Sequence, residues 1–339
     1  MKIYDKQGYC NIPGILSQGY PFNFVVGGRG TGKTYGALKY ARERAVRDGK
    51  HFLFLRRLQS QVELINKPEY SPFKTLDCDE GFVTVSRPLS KYTIGFYASD
   101  DTTPIGYTAA LSTISNMRGF DASDVDLILF DEFIPERHER PIKNEAAALF
   151  NAYETVNRNR ELQGRPPCQL LCMANANDLG NPIFLELNLI HKAETMRAKG
   201  RQVWTDPKRG IQIVLLNQSP ISSRKEMTAL YRLVQGGEYR QMAIDNDFAG
   251  DRGTVRQIPL AELRPVVKVG ELCVYQHKSD TYYYLSTHST GSPPEYSTGP
   301  TELQRFRRNY YWLWESYMRR NVIFEETLCE ILLIKYFNA

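Results

Sequence analysis

Residues 22–47 constrain the fold more than any other stretch. The apolar run Phe22-Asn23-Phe24-Val25-Val26 leads directly into Gly27-Gly28-Arg29-Gly30-Thr31-Gly32-Lys33-Thr34, and Tyr35 to Arg47 (YGALKYARERAVR) follows with helical composition and spacing. The octet satisfies G-x-x-x-x-G-K-[ST] in the strand–loop–helix setting that gives this motif its meaning. Glycines let backbone N–H groups turn inward around phosphate oxygens. A lysine at the seventh position reaches the β- and γ-phosphates, and the hydroxyl after it ligates Mg²⁺. Gly27, Gly28, Arg29, Gly30, Thr31, Gly32, Lys33 and Thr34 are therefore the expected phosphate-binding residues, for ATP by default and with Mg²⁺ as its companion ion.

Three further apolar runs carry polar tips. His51–Leu55 (HFLFL) ends in Arg56-Arg57, Val125–Phe130 (VDLILF) in Asp131-Glu132, and Gln169–Ala174 (QLLCMA) in Asn175. Four such runs with helical segments among them predict a parallel sheet flanked by helices, which places ligands at the strand C-terminal ends. Asp131 then stands where it can hold Mg²⁺ together with Thr34. Glu132 beside it can orient and deprotonate a water for attack on the γ-phosphate, a pairing that favours hydrolysis over transfer to a small acceptor. Asn175 reads either as a polar sensor of the γ-phosphate or as a turn former in a segment rich in Asn, Asp and Gly. Arg118 lies in the SNMRGF stretch, and Arg158-Asn159-Arg160 closes a helical segment that starts near Lys143. Arginine at a helix end also satisfies the last carbonyls and the helix dipole. The alternative for the RNR segment is a finger, Arg158 or Arg160, entering a neighbouring subunit's nucleotide site.

The remaining chain is less explicit. Residues 82–97 predict a β-hairpin turning near Arg87-Pro88-Leu89-Ser90, and residues 203–216 two more short strands. The boundaries read as 1–220 for an ATPase domain, 221–252 for a polar helical linker, and 253–339 for a small α+β domain ending in a helical tail over 301–337. With 42% hydrophobic residues in 339 the chain is globular rather than disordered. No apolar run approaches the roughly 18 residues of a membrane span and the N-terminus has no signal-peptide pattern, so a soluble, cytosolic protein with no membrane partner is expected. The six cysteines include no C-x-x-C pair. A formal charge of +5 permits a polyanionic partner without demanding one. Basic residues cluster at Lys192, Arg197, Lys199, Arg201, Lys208 and Arg209. Others surround FRRNYYWLWESYMRR, which reads either as an amphipathic helix with core aromatics or as a docking segment for nucleic acid or protein.

The ordered set GGRGTGKT, HFLFLRR, LILFDEF, a helix ending RNRE, CMANA followed by Asn181-Pro182, and EYRQMAIDNDFAGD resembles the DNA packaging ATPases of small podoviruses of the phi twenty-nine type. The resemblance covers most of residues 20–252. It implies an additional-strand P-loop ATPase of the FtsK/HerA-like and terminase-like kind, working as a homomeric ring, a pentamer by resemblance, that drives double-stranded DNA into a procapsid. It implies that Arg158 is the trans-acting finger, that Arg118 is a second trans-acting basic residue, and that Arg56 belongs to a lid-like region near the nucleotide. It further implies an RNase H-like C-terminal domain without nuclease activity, and the host cytoplasm as location. Docking would be transient, at the portal vertex of the procapsid and in some members through a packaging RNA. The competing reading is a non-motor P-loop protein: either a small-molecule kinase, which would want an acceptor site and need neither Glu132 nor an arginine in trans, or a nucleotide-switched binding module, which would bind ATP but turn it over slowly without DNA.

Overall fold

The computed structural model describes residues 1–99, 101–117, 121–135, 142–175, 179–217, 219–221, 227–233, 255–279, 281–319 and 321–338. The chain divides into two compact units, Met1–Glu186 with Ala193–Ala249, and Leu187–Lys192 with Gly250–Ala339.

In the first unit, nine strands of the described residues form one sheet. They are β1 (Phe22–Gly27), β2 (His51–Arg56), β3 (Thr84–Pro88), β4 (Thr93–Ala98), β5 (Gly106–Ala110), β6 (Val125–Asp131), β7 (Gln169–Ala174), β8 (Val203–Asp206) and β9 (Ile211–Leu216), in the order β3-β4-β5-β2-β6-β7-β1-β9-β8. The six strands from β5 to β9 in that order run parallel, and β3, β4 and β8 are antiparallel additions at the edges. The expected hairpin is thus β3–β4, carried at one edge by β5, which the sequence reading did not anticipate. Gly106-Tyr107-Thr108-Ala109-Ala110 has two alanines and a glycine, weak strand formers whose burial comes from β2 and β4 on either side.

Both faces of the central strands are buried, as a parallel sheet requires. On one face α1 (Ile12–Leu16) and α2 (Lys33–Asp48) pack Ile15, Ala37, Leu38 and Ala41 against Val25, Phe52, Phe54, Leu127, Leu129 and Met173. Farther along the chain, α3 (Gln59–Ile65) and α4 (Lys74–Glu80) bring Ile65 and Leu76 into the same core. On the other face Phe24, Phe130, Phe133 and Phe184 interlock, and α5 (Glu145–Asn157) lays Tyr153 against Phe22 with ring centroids 4.9 Å apart. Each fully buried phenylalanine contributes roughly 1.5–3 kcal/mol, so neither helix layer can slide along the sheet without losing several such terms.

The second unit contains a meander, β10 (Leu263–Val269), β11 (Leu272–His277) and β12 (Tyr283–Ser286), with β13 (Glu295–Tyr296) parallel on β10 and β14 (Val322–Phe324) parallel on β12. The tail expected to be helical over 301–337 is therefore interrupted. Helices Pro300–Asn309 and Tyr311–Met318 precede β14, and helix Thr327–Asn338 follows it. Val322, Ile323 and Phe324 are all buried, and two of the three are β-branched, so the sheet edge takes them. Of FRRNYYWLWESYMRR, Phe306 and Leu313 are fully buried and Tyr310, Trp312 and Tyr317 pack on the same core. The aromatic side of this segment is structural. Most of the 221–252 linker, including EYRQMAIDNDFAGD, lies outside the described residues; helix Ala229–Leu233 is described.

Candidate nucleotide site

Register brings the polar tips together. β2, β6, β7 and β1 are adjacent and parallel, with Leu55 opposite Phe130, Asp131 opposite Met173 and Val26 opposite Ala174. Gly27, Arg56, Asp131 and Asn175 consequently stand at or just past the same ends of four neighbouring strands, although 148 residues separate the first from the last in sequence. Gly27 permits β1 to approach β9 where the loop begins, since a Cβ there would lie 2.5 Å from that of Leu216. Gly32 caps α2 in the left-handed conformation, φ 80° and ψ 11°, and a side chain would also meet the Tyr9 ring at 3.0 Å.

Lys33 is 7% exposed, and its ammonium is folded back onto the loop. Nζ donates to Gly27 O at 2.9 Å, Gly28 O at 2.8 Å, Thr31 Oγ1 at 3.3 Å and Asn175 Oδ1 at 3.4 Å. Oxygen acceptors thus surround the cation where phosphate oxygens would replace them. Thr34 Oγ1 donates to Asp131 Oδ1 at 3.0 Å, which puts two hard oxygen donors side by side at the helix start, a set that suits Mg²⁺ completed by phosphate and water oxygens. The residues present therefore fit both ATP and Mg²⁺.

Arg56 closes the other side of the acids. Its Nη1 lies 2.8 Å from Asp131 Oδ2 and its Nη2 2.6 Å from Glu132 Oε2. Glu132 has φ 57°, a left-handed conformation uncommon outside glycine, and this turn at the end of β6 lets one guanidinium hold consecutive carboxylates. Burial pushes the Asp131 carboxyl above the ordinary carboxylate range; Arg56 opposes the rise, Glu132 adds to it, and Thr34 and Lys33 oppose it more weakly. A dication at Asp131 would favour the charged form further.

The structure separates the two arginines of the RNR motif. Arg160 is buried, with Nη1 donating to Val125 O and Nε to Pro166 O at 3.3 Å. Arg158 is the C-cap of α5 with φ 44° and ψ −131°; its side chain is 48% exposed, with Nε 3.2 Å from Thr155 O and Nη1 3.7 Å from Asp121 Oδ1. Asn157, the last residue of α5, is buried and accepts the Cys168 N–H at 2.8 Å. Arg160 thus ties β6 to the segment that leads into β7, while the contact with a helix-end carbonyl, Thr155 O, is made by Arg158. Arg118 lies outside the described residues.

Sequence reasoning missed the N-terminal brace of the loop. The Cys10 N–H donates to Thr31 O at 2.8 Å, and Ser219 Oγ to Gly8 O at 3.1 Å, so residues 8–10 are held between the loop and the end of β9. Burial pushes the Cys10 thiol up to about 12, which leaves it inert. No motif marks these residues. Also missed was the partner of Arg57, Glu145. Among the described residues no group of three or more His, Cys, Asp or Glu side chains is placed to hold a metal ion.

Comparison with known proteins points the same way. Residues 4–259 match the family model of the podovirus DNA encapsidation protein (Gp16). The DNA packaging protein of Bacillus phage phi29 is 32% identical over 248 residues, 73% of this chain and 68% of that protein. The crystal structure of the N-terminal domain of the DNA packaging ATPase from bacteriophage phi29 is 27% identical, with a TM-score of 0.50 over 62% of this chain and 97% of that one. The chain in the bacteriophage phi-29 viral genome packaging motor assembly, at 24% identity, shares the fold with a TM-score of 0.65 over 97% of this chain and 98% of that one. This chain belongs to the podovirus DNA encapsidation protein family.

Proposed function

We propose that this chain is the ATP-hydrolysing subunit of a homomeric ring that drives double-stranded viral DNA into a procapsid at its portal vertex. The observation that carries the reading is the meeting of Lys33, Thr34, Asp131, Glu132 and Asn175 at the strand ends of a chain in a DNA-packaging family.

In this reading the loop amides of residues 27–34 and the Lys33 ammonium bind the triphosphate, exchanging the Gly27 and Gly28 carbonyl contacts for phosphate oxygens. Thr34 and Asp131 would hold Mg²⁺, which neutralises charge on the β- and γ-phosphates when bound. Glu132 takes the proton of the attacking water, and Asn175 contacts the γ-phosphate side of Lys33. With Arg56 on both carboxylates, the Glu132 oxygen is occupied by the guanidinium, so Arg56 must release it before it can accept a proton from water. Arg158, exposed at the end of α5, reaches the neighbouring subunit's γ-phosphate and stabilises the charge that develops there. Cytoplasmic assembly followed by transient docking on the procapsid is the corresponding location.

Turnover measured with and without double-stranded DNA tests the reading, alongside solution mass with a nonhydrolysable ATP analogue. DNA-stimulated hydrolysis by a closed oligomer is expected, with DNA binding that ignores base sequence and weakens steeply with salt. A monomer whose ATP turnover is indifferent to DNA would return the chain to the nucleotide-switch reading, and phosphoryl transfer to a small acceptor to the kinase one.

A further inference from the structure

Two arginines stand where β2 ends, Arg56 as its last residue and Arg57 just beyond it, and they have different partners. Arg56 sits on the two carboxylates of the nucleotide site. Arg57 is 0% exposed, with Nε 2.8 Å from Glu145 Oε1 and Nη2 3.1 Å from Glu145 Oε2. Glu145, 2% exposed, is the first residue of α5, and Arg158 caps the last. The Arg57 carbonyl in turn accepts the Ser112 N–H at 3.0 Å, so the arginine's own backbone is fixed.

A buried ion pair is a poor way to gain stability, because well-packed apolar residues often serve as well or better. Its two-pronged geometry supplies something they do not, a fixed direction as well as a distance. Direction matters at this place. α5 has 13 residues and spans about 20 Å at 1.5 Å per residue, so a tilt of about 3° at Glu145 displaces the Arg158 end by about 1 Å. A displacement of that size costs on the order of 10²-fold where a charged group must meet a transferring phosphoryl group. At the far end the Cys168 N–H donates to Asn157 Oδ1, so the helix axis is set by its two ends together and the pair at Glu145 fixes one of them.

We propose that Arg57 and Glu145 are positioning residues which lock α5 to the tip of β2 and thereby set where Arg158 meets the neighbouring subunit's nucleotide. The proposal rests on the reading of Arg158 as a trans-acting finger. It goes beyond that reading in naming what aims the finger.

Subunit mixing separates the two. Glu132→Gln subunits can only donate a finger, and Arg158→Ala subunits can only use one, so their mixture should recover DNA-stimulated hydrolysis in rings shown to be mixed. Adding Arg57→Met and Glu145→Leu to the donor should lower that recovery 10-fold or more. The same pair added to the Arg158→Ala acceptor, whose site needs only its neighbour's finger, should leave recovery at the reference level. Where the double replacement fails to fold by thermal melting, Arg57→Lys, which keeps the charge and loses the fork, carries the same comparison. An altered donor that works as well as the reference overturns the proposal while the finger stands. Equal loss in donor and acceptor also overturns it, because the pair would then act on its own subunit's site. A reference mixture that recovers nothing removes the finger reading, and the proposal with it.

Discussion

The α2 face and the α5 face of the sheet use the same residue types to opposite ends. On the α2 face Lys33, Arg56, Asp131 and Glu132 bond to one another and to loop carbonyls in contacts that a triphosphate and its cation can replace. On the α5 face Arg57 and Glu145, at 0% and 2% exposure, form a pair closed off from water, and Arg160 bonds two backbone carbonyls. In the proposed reading ligand rearranges the first face while the second holds a helix still. An ion pair's burial, more than its composition, decides which it does.

Substitutions can break or sharpen that contrast. The largest effect expected is on turnover: Arg158→Ala should bind ATP as the parent does while hydrolysing roughly 10³-fold or more slowly, measured by nucleotide titration beside steady-state rates. Normal turnover would leave Arg158 a helix cap and make the α5 face purely structural. Next in size, Arg57→Met should destabilise the protein by roughly 3–5 kcal/mol because it strands the buried Glu145 carboxylate, and Glu145→Leu added to it should recover most of the loss, both read by denaturant unfolding. A small loss from the single variant would mean that the α5 face is not sealed. Arg160→Ala should cost about 1–3 kcal/mol by leaving two carbonyls without their donor, without the turnover collapse of Arg158→Ala. The reverse ranking of the two arginines would exchange their roles.

An exposed pair in the second unit sets the lower end of the scale. His288, with a side chain 73% exposed, has Nδ1 3.0 Å from Glu325 Oε2, and that hydrogen bond raises its pKa above the usual 6.5. A raised folded value means that the contribution is complete below pH 6.5 and fades as pH rises through the folded value. His288→Gln should therefore lower stability by well under 1 kcal/mol at pH 5.5 and leave it unchanged at pH 9. A large, pH-independent loss would show a packing role instead.

The α2 face was legible in the sequence because phosphate chemistry dictates residue types at fixed local spacing, and because the apolar runs named the strands whose ends converge. The α5 face was not. Arg57 and Glu145 are 88 positions apart, and nothing local in either segment requires the other. The same limit hid β5, whose Gly and Ala content argues against a strand until β2 and β4 enclose it, and β14, three residues inside a stretch of helical composition. The RNR motif was visible, but which arginine stays at the surface depends on how residues 157–168 fold back on β6.

The backbone at Arg158, φ 44° with ψ −131°, is one that glycine enters far more easily than any residue with a side chain. Left to stability alone, that position would drift to glycine. Arg158→Gly should accordingly melt at or slightly above the parent's temperature while failing as a catalyst, whereas Arg158→Ala keeps the strain and loses the charge. Libraries of this chain selected for heat resistance would thus discard the arginine first, and libraries selected for packaged genomes would retain it at the expense of a weaker helix end.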